Sequence, residues 1–285
     1  MAEISAAQVK ELRERTGAGM MDCKKALGEA NGDSARAAEI LRERGIAKAS
    51  KRVGRAGSEG RVNALVSKDG RSGALVELNC ETDFVAKTDD FSALADLLAN
   101  AICDAAPASV DALLDATVKG ETLRDTVSSA VTKVGEDIMV RRIGRLVAPA
   151  TGFVAAYVHA GGKIGTLVAI EATNPDKPDV RAFAHNVCMH VAATSPASLS
   201  RDELPKSVVD AERSVLTKQA ASEGKPANII EKMIEGRLTK FFKEVVLLEQ
   251  GLVMDPDKTV NKAAQEVGAK VVGFSRFQLG EAGEE

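Results

Sequence analysis

The segment AHNVCMH at residues 184–190 carries side chains of the kinds that bind metal ions. On a helix, His185 and Cys188 would lie one turn apart, while His190 would lie on a different azimuth. Protein zinc sites need three or four converging ligands. The spacing therefore favours a helix that carries polar residues over a metal centre, and we expect neither a metal nor a cofactor.

The commoner catalytic signatures are also absent from this sequence. It contains no GxxxxGK[ST], no GxGxxG after a predicted strand, no HExxH and no GxSxG. The adjacent carboxylates Asp89 and Asp90 precede Phe91 and a predicted helix, where they favour the helix dipole over general acid–base catalysis. The absence of these signatures weakens the hypothesis that the protein is an enzyme.

An aromatic residue in a polar stretch is the least ordinary feature, in ELNCETDFVAKTDDF at residues 77–91. The apolar run ALVEL at residues 74–78 predicts a strand, and Phe84 follows it among polar and charged residues. Two alternatives remain open. Thr82 and Asp83 cap a short helix that Phe84 anchors to the core, or Phe84 is displayed on a loop for a protein partner.

The elements that position these residues belong to an ordinary globular chain. Its 285 residues are 45% hydrophobic and 28% charged, with 3% aromatic residues and no Trp. The core must therefore be built from Ala, Val, Leu and Ile, which is typical of a helix-rich protein with some β-sheet. A net charge of −3 gives no general attraction for nucleic acid, which we do not expect as a partner.

Cysteine usage and the N-terminus indicate the compartment. The four cysteines are widely spaced, without a CxxC pair or a disulfide framework. The N-terminal MAEISAAQVKELRER lacks the apolar region of a signal peptide, and no run of about 18 apolar residues occurs. We expect a cytoplasmic protein with free thiols and no membrane partner.

The N-terminal segment predicts three short helices, in SAAQVKELRERTG, MMDCKKALGEANG and DSARAAEILRERG. Ser5 and Asp33 are the expected N-caps, and Gly17, Gly32 and Gly45 are expected at stops or turns. So small a bundle has little core and can use contacts with a partner.

A basic run, IAKASKRVGRAGSEG, follows the third predicted helix. Lys48, Lys51, Arg52 and Arg55 supply its charge before Gly, Ala and Ser dominate, which predicts a helix end and a linker. An RNA-binding patch is the alternative, but no aromatic residue is interleaved for base stacking.

An internal repeat with an offset of 92 residues organises the middle of the chain. GRVNALVSKDGRSGALVEL from Gly60 aligns without a gap to GFVAAYVHAGGKIGTLVAI from Gly152. Each copy alternates apolar and polar residues, turns at glycine, returns as a second strand and continues into a helix, which predicts two related α+β subdomains. The second copy has TNPDKPDVR where the first has ETDFVAKTDD, so the repeated scaffold does not need the TDFV residues.

Further helices and strands complete the prediction. Between the copies, ETLRDTVSSAVTKVGEDIMVRR predicts a helix and RIGRLVA a strand that enters the second copy. Two helices joined at Gly224, Lys225 and Pro226 predict an antiparallel coiled coil or packed arm. One face of its second helix carries Ile234, Leu238, Phe241 and Val245. KTVNKAAQEVG predicts a helix, and AKVVGFSRFQL predicts a closing strand.

Five motifs together resemble bacterial translation elongation factor Ts. They are TGAGMMDCKKAL at 16–27, NCETDFVAK at 79–87, HVAA at 190–193, GKPANIIEKMIEGRLTKF at 224–241 and GFSRF at 273–277. The resemblance runs in order over essentially the whole chain. It implies a guanine nucleotide exchange factor for the GTPase elongation factor Tu, which meets that partner in its GDP-bound and nucleotide-free forms.

The resemblance also implies an architecture. A ubiquitin-associated-like three-helix domain and linker would occupy residues 1–55, and core subdomains would occupy 56–145 and 146–285. The second would include a helical hairpin at about 204–249, through which the family implies homodimers. Some members continue into a further helix that packs on the GTPase domain, but this sequence ends at GEAGEE, so no contact from that module is expected.

Site residues carried over from the family fall into three groups. The element that intrudes beside the partner's magnesium site would be Thr82, Asp83, Phe84 and Val85. Residues docking on the GTPase domain would be Met20, Met21 and Lys24, and His159 would reach the partner elsewhere. The competing interpretation is a protein-binding adaptor, whose N-terminal helices bind ubiquitin-like or other ligands without exchange activity.

Overall fold

The computed structural model describes residues 4–16, 18–52, 57, 59–221 and 227–281. Its first three helices are α1 (Ala6–Thr16), α2 (Met20–Glu29) and α3 (Ser34–Arg52). They enclose a small apolar core of their own, to which each contributes: Val9, Leu12, Ala18, Cys23, Ala26, Leu27, Ala37 and Leu41.

Two predicted helix caps are confirmed by their hydrogen bonds. The Ser5 hydroxyl accepts from the Gln8 backbone N–H at 3.2 Å, while Gln8 Oε1 accepts from the Ser5 N–H at 3.0 Å. Asp33 Oδ1 accepts from the N–H groups of Ala35 at 2.8 Å and Arg36 at 3.0 Å. These carboxylate and hydroxyl oxygens satisfy N–H groups that have no partner within the helix.

The predicted stop at Gly45 is wrong, because α3 continues to Arg52. A glycine inside a helix costs only about 1 kcal/mol, and the residues after it are good helix formers. The basic Lys48, Lys51 and Arg52 lie at the end of α3, in agreement with the helix end predicted for this run, while Gly17 and Arg55 lie outside the described residues.

The first α+β unit is built on a three-stranded antiparallel sheet. In chain order its elements are β1 (Glu59–Val66), β2 (Ser72–Cys80), α4 (Asp83–Ala86), α5 (Asp89–Ala105), α6 (Val110–Leu114), β3 (Thr117–Val118), β4 (Glu121–Thr122), α7 (Leu123–Val134) and β5 (Ile138–Val147). The sheet order is β1-β2-β5, and α5 packs against it through Phe91, Leu94 and Leu98.

The second unit repeats that topology. In chain order its elements are β6 (Gly152–Val158), β7 (Ile164–Ala172), α8 (Pro178–Thr194), α9 (Lys206–Ala221), α10 (Ala227–Val245), β8 (Gly251–Leu252), β9 (Asp255–Thr259), α11 (Val260–Glu266) and β10 (Ala269–Gln278). Its sheet order is β6-β7-β10, again with the second strand of the hairpin in the centre. The ranges of β2 and β7 differ by 92 residues at both ends, which agrees with the sequence repeat.

The single helix predicted between the repeats is wrong in its second half. α7 ends at Val134, and Gly135 caps it in the left-handed conformation, with φ of +81°. The chain then enters β5, in which Ile138 and Val140 are buried while Met139 is exposed, the alternation of a strand. RIGRLVA consequently belongs to the third strand of the first sheet and does not enter the second copy.

The two sheets share one apolar cluster. Val62 and Leu75 of the first sheet are fully buried against Val154 and Leu167 of the second. A Cβ at Gly165 would lie 2.6 Å from Val62 Cγ1, so only glycine permits this approach of the strands. The two sheets are therefore packed through a common core.

Helices α9 and α10 pack together through Leu216, Ala220, Ile234 and Leu238. Ile234 and Leu238 were predicted on this face, but Phe242 packs against the cluster where Phe241 was expected. The predicted joint at residues 224–226 lies outside the described residues. None of the described helices combines the length and the apolar character that crossing a membrane requires.

Candidate functional site

The TDFV residues form one helical turn immediately after the central strand of the first sheet. Thr82 is the N-cap of α4, and its hydroxyl oxygen faces the Val85 N–H at 3.5 Å. The Phe84 side chain is 80% exposed, whereas Val85 is half-buried and packs against the first core. The alternative in which Phe84 anchors the loop is therefore wrong, since Val85 has that role and the ring is displayed.

The charge on this turn is concentrated on its exposed side. Asp83 Oδ2 lies 2.6 Å from Lys87 Nζ, one helical turn away. The hydrogen bond from Lys87 lowers the pKa of the Asp83 carboxyl, which is therefore ionised at neutral pH. An ionised carboxylate thus lies beside an exposed aromatic ring, a combination that a partner's polar and apolar groups can both contact.

Cys80 lies directly before the turn and has an unreactive thiol. Its thiol donates to the Thr82 carbonyl oxygen at 3.1 Å, and burial raises its pKa to about 11. A thiol with so high a pKa stays protonated at neutral pH and is a poor nucleophile. The Cys80 thiol is therefore not a reactive group of this turn.

A second candidate surface lies at the start of α2. Met20 is 53% exposed and Met21 is 65% exposed, and Lys24 is also exposed. Cys23 and Leu27 on the opposite face are fully buried in the three-helix core. The helix therefore presents two flexible apolar side chains and a cation to solvent, which suits an adaptable protein contact.

The third candidate, His159, directly follows β6. It is exposed, and its Nδ1 atom lies 2.9 Å from the Tyr157 hydroxyl group. Its backbone N–H donates to the Ile164 carbonyl oxygen at 2.9 Å, which closes the hairpin between β6 and β7. The Tyr157 ring packs against the His159 ring and therefore supports this side chain. On its other contact, the Tyr157 ring lies edge-on to His185. The three candidate groups thus lie on three different parts of the fold.

The AHNVCMH residues are arranged around a structural histidine. Within the described part of the chain, no three His, Cys, Asp or Glu side chains converge as metal ligands. His190 is 1% exposed; its Nε2 atom lies 2.8 Å from Gln250 Oε1, and its Nδ1 atom accepts from the Val253 N–H at 3.2 Å. Both ring nitrogens are therefore used, and the imidazole is neutral with its proton on Nε2.

This histidine makes stability depend on pH. Burial lowers the pKa of His190 below its ordinary value of 6.5, although the Gln250 hydrogen bond opposes the shift. The unfolded chain therefore takes up this proton at a higher pH than the folded chain does, so folding stability is complete above about pH 6.5 and is lost as the pH falls below it. We expect His190→Gln to flatten the fall in unfolding free energy between about pH 7.5 and about pH 5.5.

Urea unfolding at each pH, followed by circular dichroism, measures that slope. The exposed His185 is the matched control, since His185→Gln removes a histidine from the same helix without touching the buried network. Equal slopes for wild type and His190→Gln would contradict the prediction.

One residue near the TDFV turn was missed by the sequence reasoning. Glu136 accepts from the Thr82 N–H at 2.9 Å and from the Thr82 hydroxyl at 2.6 Å, across 54 residues of sequence. The only local signal was Gly135, a helix stop that the single-helix prediction overlooked.

Comparison with known proteins gives matches over most of the chain. The family model described as Elongation factor TS matches residues 81–281. The Elongation factor Ts of Hyphomonas neptunium is 49% identical over 288 residues, covering 99% of this chain and 93% of its own. That of Thioalkalivibrio sulfidiphilus is 45% identical over 278 residues, covering 98% and 92%. That of Micrococcus luteus is 45% identical over 285 residues, covering 98% and 100%. With its two sheets of like topology and this match over nearly the full length, the chain belongs to the elongation factor Ts family.

Proposed function

We propose that this protein is the guanine nucleotide exchange factor for elongation factor Tu in translation elongation, and that it promotes GDP release by disturbing the partner's magnesium and phosphate site. Membership of the elongation factor Ts family supports the exchange role. The observation that carries the mechanism is the 80% exposure of Phe84 on a short capped turn. The factor does no covalent chemistry, and it works in the cytoplasm.

Exchange by binding alone requires a difference in affinity. The exchange factor must bind nucleotide-free elongation factor Tu more tightly than the GDP-bound form. The affinity of elongation factor Tu for the nucleotide is then lowered by the same ratio. A change of about 10⁴ in nucleotide affinity requires roughly 5.5 kcal/mol of differential interaction. Full burial of one Phe side chain contributes roughly 1.5–3 kcal/mol, so Phe84 supplies part and the other contacts supply the rest.

The chemistry of the TDFV turn suits a site that holds a cation and phosphates. The Phe84 ring enters an apolar gap and displaces the partner elements that hold the magnesium ion. Asp83 adds negative charge where the phosphates are already crowded, and its pairing with Lys87 is exposed, so opening the pair costs little free energy. Once the cation is displaced, the phosphates lose the charge that retains them.

The remaining surfaces provide docking. We assign Met20, Met21 and Lys24 to contact with the GTPase domain, and His159 to a separate contact with the same partner. Exposure of all four side chains supports these assignments.

We assign a role to each part of the chain. Residues 1–55 would be a ubiquitin-associated-like docking domain, and residues 56–145 and 146–285 the two core subdomains. The hairpin at about 204–249 would serve homodimer formation, for which the paired helices α9 and α10 provide the element.

Substitution of a docking residue should change the half-saturating concentration of the factor without changing the maximal rate of GDP release. We expect Met20→Ser combined with Met21→Ser to raise the concentration of factor that gives half-maximal GDP release roughly tenfold, because two exposed apolar contacts are lost. The maximal release rate should stay unchanged, since the TDFV turn is intact. A lower maximal rate at unchanged half-saturation would contradict the assignment of these residues to docking.

The proposed function is tested by measuring the affinity of this protein for elongation factor Tu in its GDP-bound and nucleotide-free states by calorimetry. An exchange factor must favour the nucleotide-free state by a large factor, on the order of 10² or more. Equal affinities would contradict exchange and favour the protein-binding adaptor.

A further inference from the structure

The turn that displays Phe84 is too short to hold itself in place. α4 has four residues, and an isolated helical turn of that length is unstable because fixing its backbone yields too few hydrogen bonds. The hydrogen bond of its own N-cap is long, at 3.5 Å between the Val85 nitrogen and Thr82 Oγ1. The pair between Asp83 and Lys87 is largely exposed and contributes little.

Stronger support comes from the loop between α7 and β5. The two carboxylate oxygens of Glu136 each accept one hydrogen bond from Thr82, at 2.9 Å from the backbone nitrogen and at 2.6 Å from the hydroxyl oxygen. Both bonds are charge-assisted, and such bonds are about twice as strong as neutral ones.

The bond to the hydroxyl group also orients the helix cap. A Thr hydroxyl has one proton and two acceptor lone pairs, so donating the proton to Glu136 leaves lone pairs free to accept from the Val85 N–H. Glu136 therefore fixes the rotation of the hydroxyl on which the cap depends. Without it, the hydroxyl is free to donate elsewhere.

The carboxylate is itself held in position. Gly135, with φ of +81°, turns the chain out of α7 so that Glu136 faces the end of β2. The Asp137 N–H donates to Glu81 Oε1 at 3.0 Å, so residues 81–82 and 136–137 bind each other in both directions. This reciprocal pairing joins the displayed turn to the rigid sheet and helix beneath it.

From this geometry, and resting on the proposed exchange function, we propose that Glu136 is a positioning residue for GDP release, which holds Thr82 and thereby orients Phe84 before the partner arrives. A turn that is already ordered does not spend binding energy on ordering itself, and that energy remains for displacing the nucleotide. Glu136 touches neither the nucleotide nor the magnesium ion.

The expected effect is on the rate of exchange. Glu136→Ala should lower the maximal rate of GDP release from elongation factor Tu by about five- to tenfold, because two charge-assisted bonds are lost. The half-saturating concentration should change by less than about twofold, since the docking surfaces remain. Glu136→Gln keeps the side-chain volume and one acceptor oxygen, so it should recover part of the rate.

A double-mutant cycle tests whether Glu136 acts through Phe84. If it does, Phe84→Ala with Glu136→Ala should be no slower than Phe84→Ala alone, within about twofold. If the losses in release rate of the two single variants multiply in the double variant, Glu136 acts independently of Phe84, and the proposal is overturned. Glu121, an exposed residue of the same unit, provides the matched control, and Glu121→Ala should exchange like the wild type.

Folding and function remain separable in this design. If Glu136→Ala lowers the thermal midpoint, the comparison is made with Glu136→Gln, and a folded Glu136→Gln protein that releases GDP at the full wild-type rate would overturn the proposal. Failure of the wild-type chain to accelerate GDP release would reject the exchange function. A wild-type rate in Glu136→Ala, with Phe84→Ala impaired, would reject the role of Glu136 alone.

Discussion

Replacing Phe84 with Ala is expected to slow the maximal rate of GDP release from elongation factor Tu roughly tenfold to a hundredfold, the rate equivalent of burying one Phe side chain. The ring is the one large apolar group on the displayed turn, so no neighbour substitutes for it. Phe84→Leu, which keeps apolar volume without the ring, should have an intermediate rate. Stopped-flow release of fluorescent GDP measures all three chains.

The same substitution should leave the fold intact. Because the side chain is 80% exposed, we expect Phe84→Ala to change the free energy of unfolding by less than about 0.5 kcal/mol. Val147, half-exposed on β5 in the same unit, is the matched control, and Val147→Ala should exchange normally. A Phe84→Ala protein that is unfolded by circular dichroism, or that exchanges at the wild-type rate, would contradict the role given to the ring.

The largest expected loss of stability is at Glu77. This carboxylate is fully buried on β2, and its Oε2 lies 2.7 Å from Arg142 Nε on β5. Its Oε1 accepts from the Gly280 N–H at 2.9 Å, while Arg142 Nη2 donates to the Gln278 carbonyl oxygen at 2.8 Å. Glu77 therefore ties the central strand of the first sheet to the end of the last strand of the second.

Removing Glu77 takes away the nearest counter-charge of Arg142, whose other carboxylate neighbour, Glu281, lies farther away at 3.7 Å and is partly exposed. We expect Glu77→Ala to lower the free energy of unfolding by about 3–5 kcal/mol, because Arg142 and the Gly280 N–H both lose their acceptor. Urea unfolding at neutral pH measures the loss.

The control for Glu77 lies in the same hairpin. Glu59 on β1 is 3.5 Å from Lys163, and both side chains are partly exposed, so Glu59→Ala should cost less than about 1 kcal/mol. If Glu77→Ala were no more destabilising than Glu59→Ala, the buried carboxylate would not be the tie between the sheets that its contacts indicate.

Much of the scaffold was predictable because it depends on local signals. The gapless repeat from Gly60 and Gly152 predicted two hairpins of like form, and β2 and β7 differ by the offset of that repeat. Ser5 and Asp33 act as caps because capping is decided within four residues of sequence. Local hydrogen bonds of this kind need no knowledge of the tertiary fold.

The errors arose where tertiary packing outweighs local preference. Gly45 does not interrupt α3, because one unfavourable residue is outweighed by its helical neighbours. The stretch from Ile138 onwards became a strand because Ile138 and Val140 pack on the first core, a contact that depends on the sheet already being present.

In the candidate site, too, local features could be predicted and tertiary contacts could not. The cap at Thr82 was among the sequence alternatives, but the sequence could not decide which of Phe84 and Val85 faces the core, since the two are adjacent on one helical turn. Glu136 could not be found at all, because it meets Thr82 only after β2 and the end of α7 are brought together.

The central claim is that binding of this protein weakens the hold of elongation factor Tu on GDP. Its most direct test is stopped-flow release of fluorescent GDP from purified elongation factor Tu, with the wild-type chain added at rising concentration. We predict that the release rate rises with concentration and reaches a plateau well above the spontaneous rate. A release rate that stays at the spontaneous value at every concentration would contradict the claim.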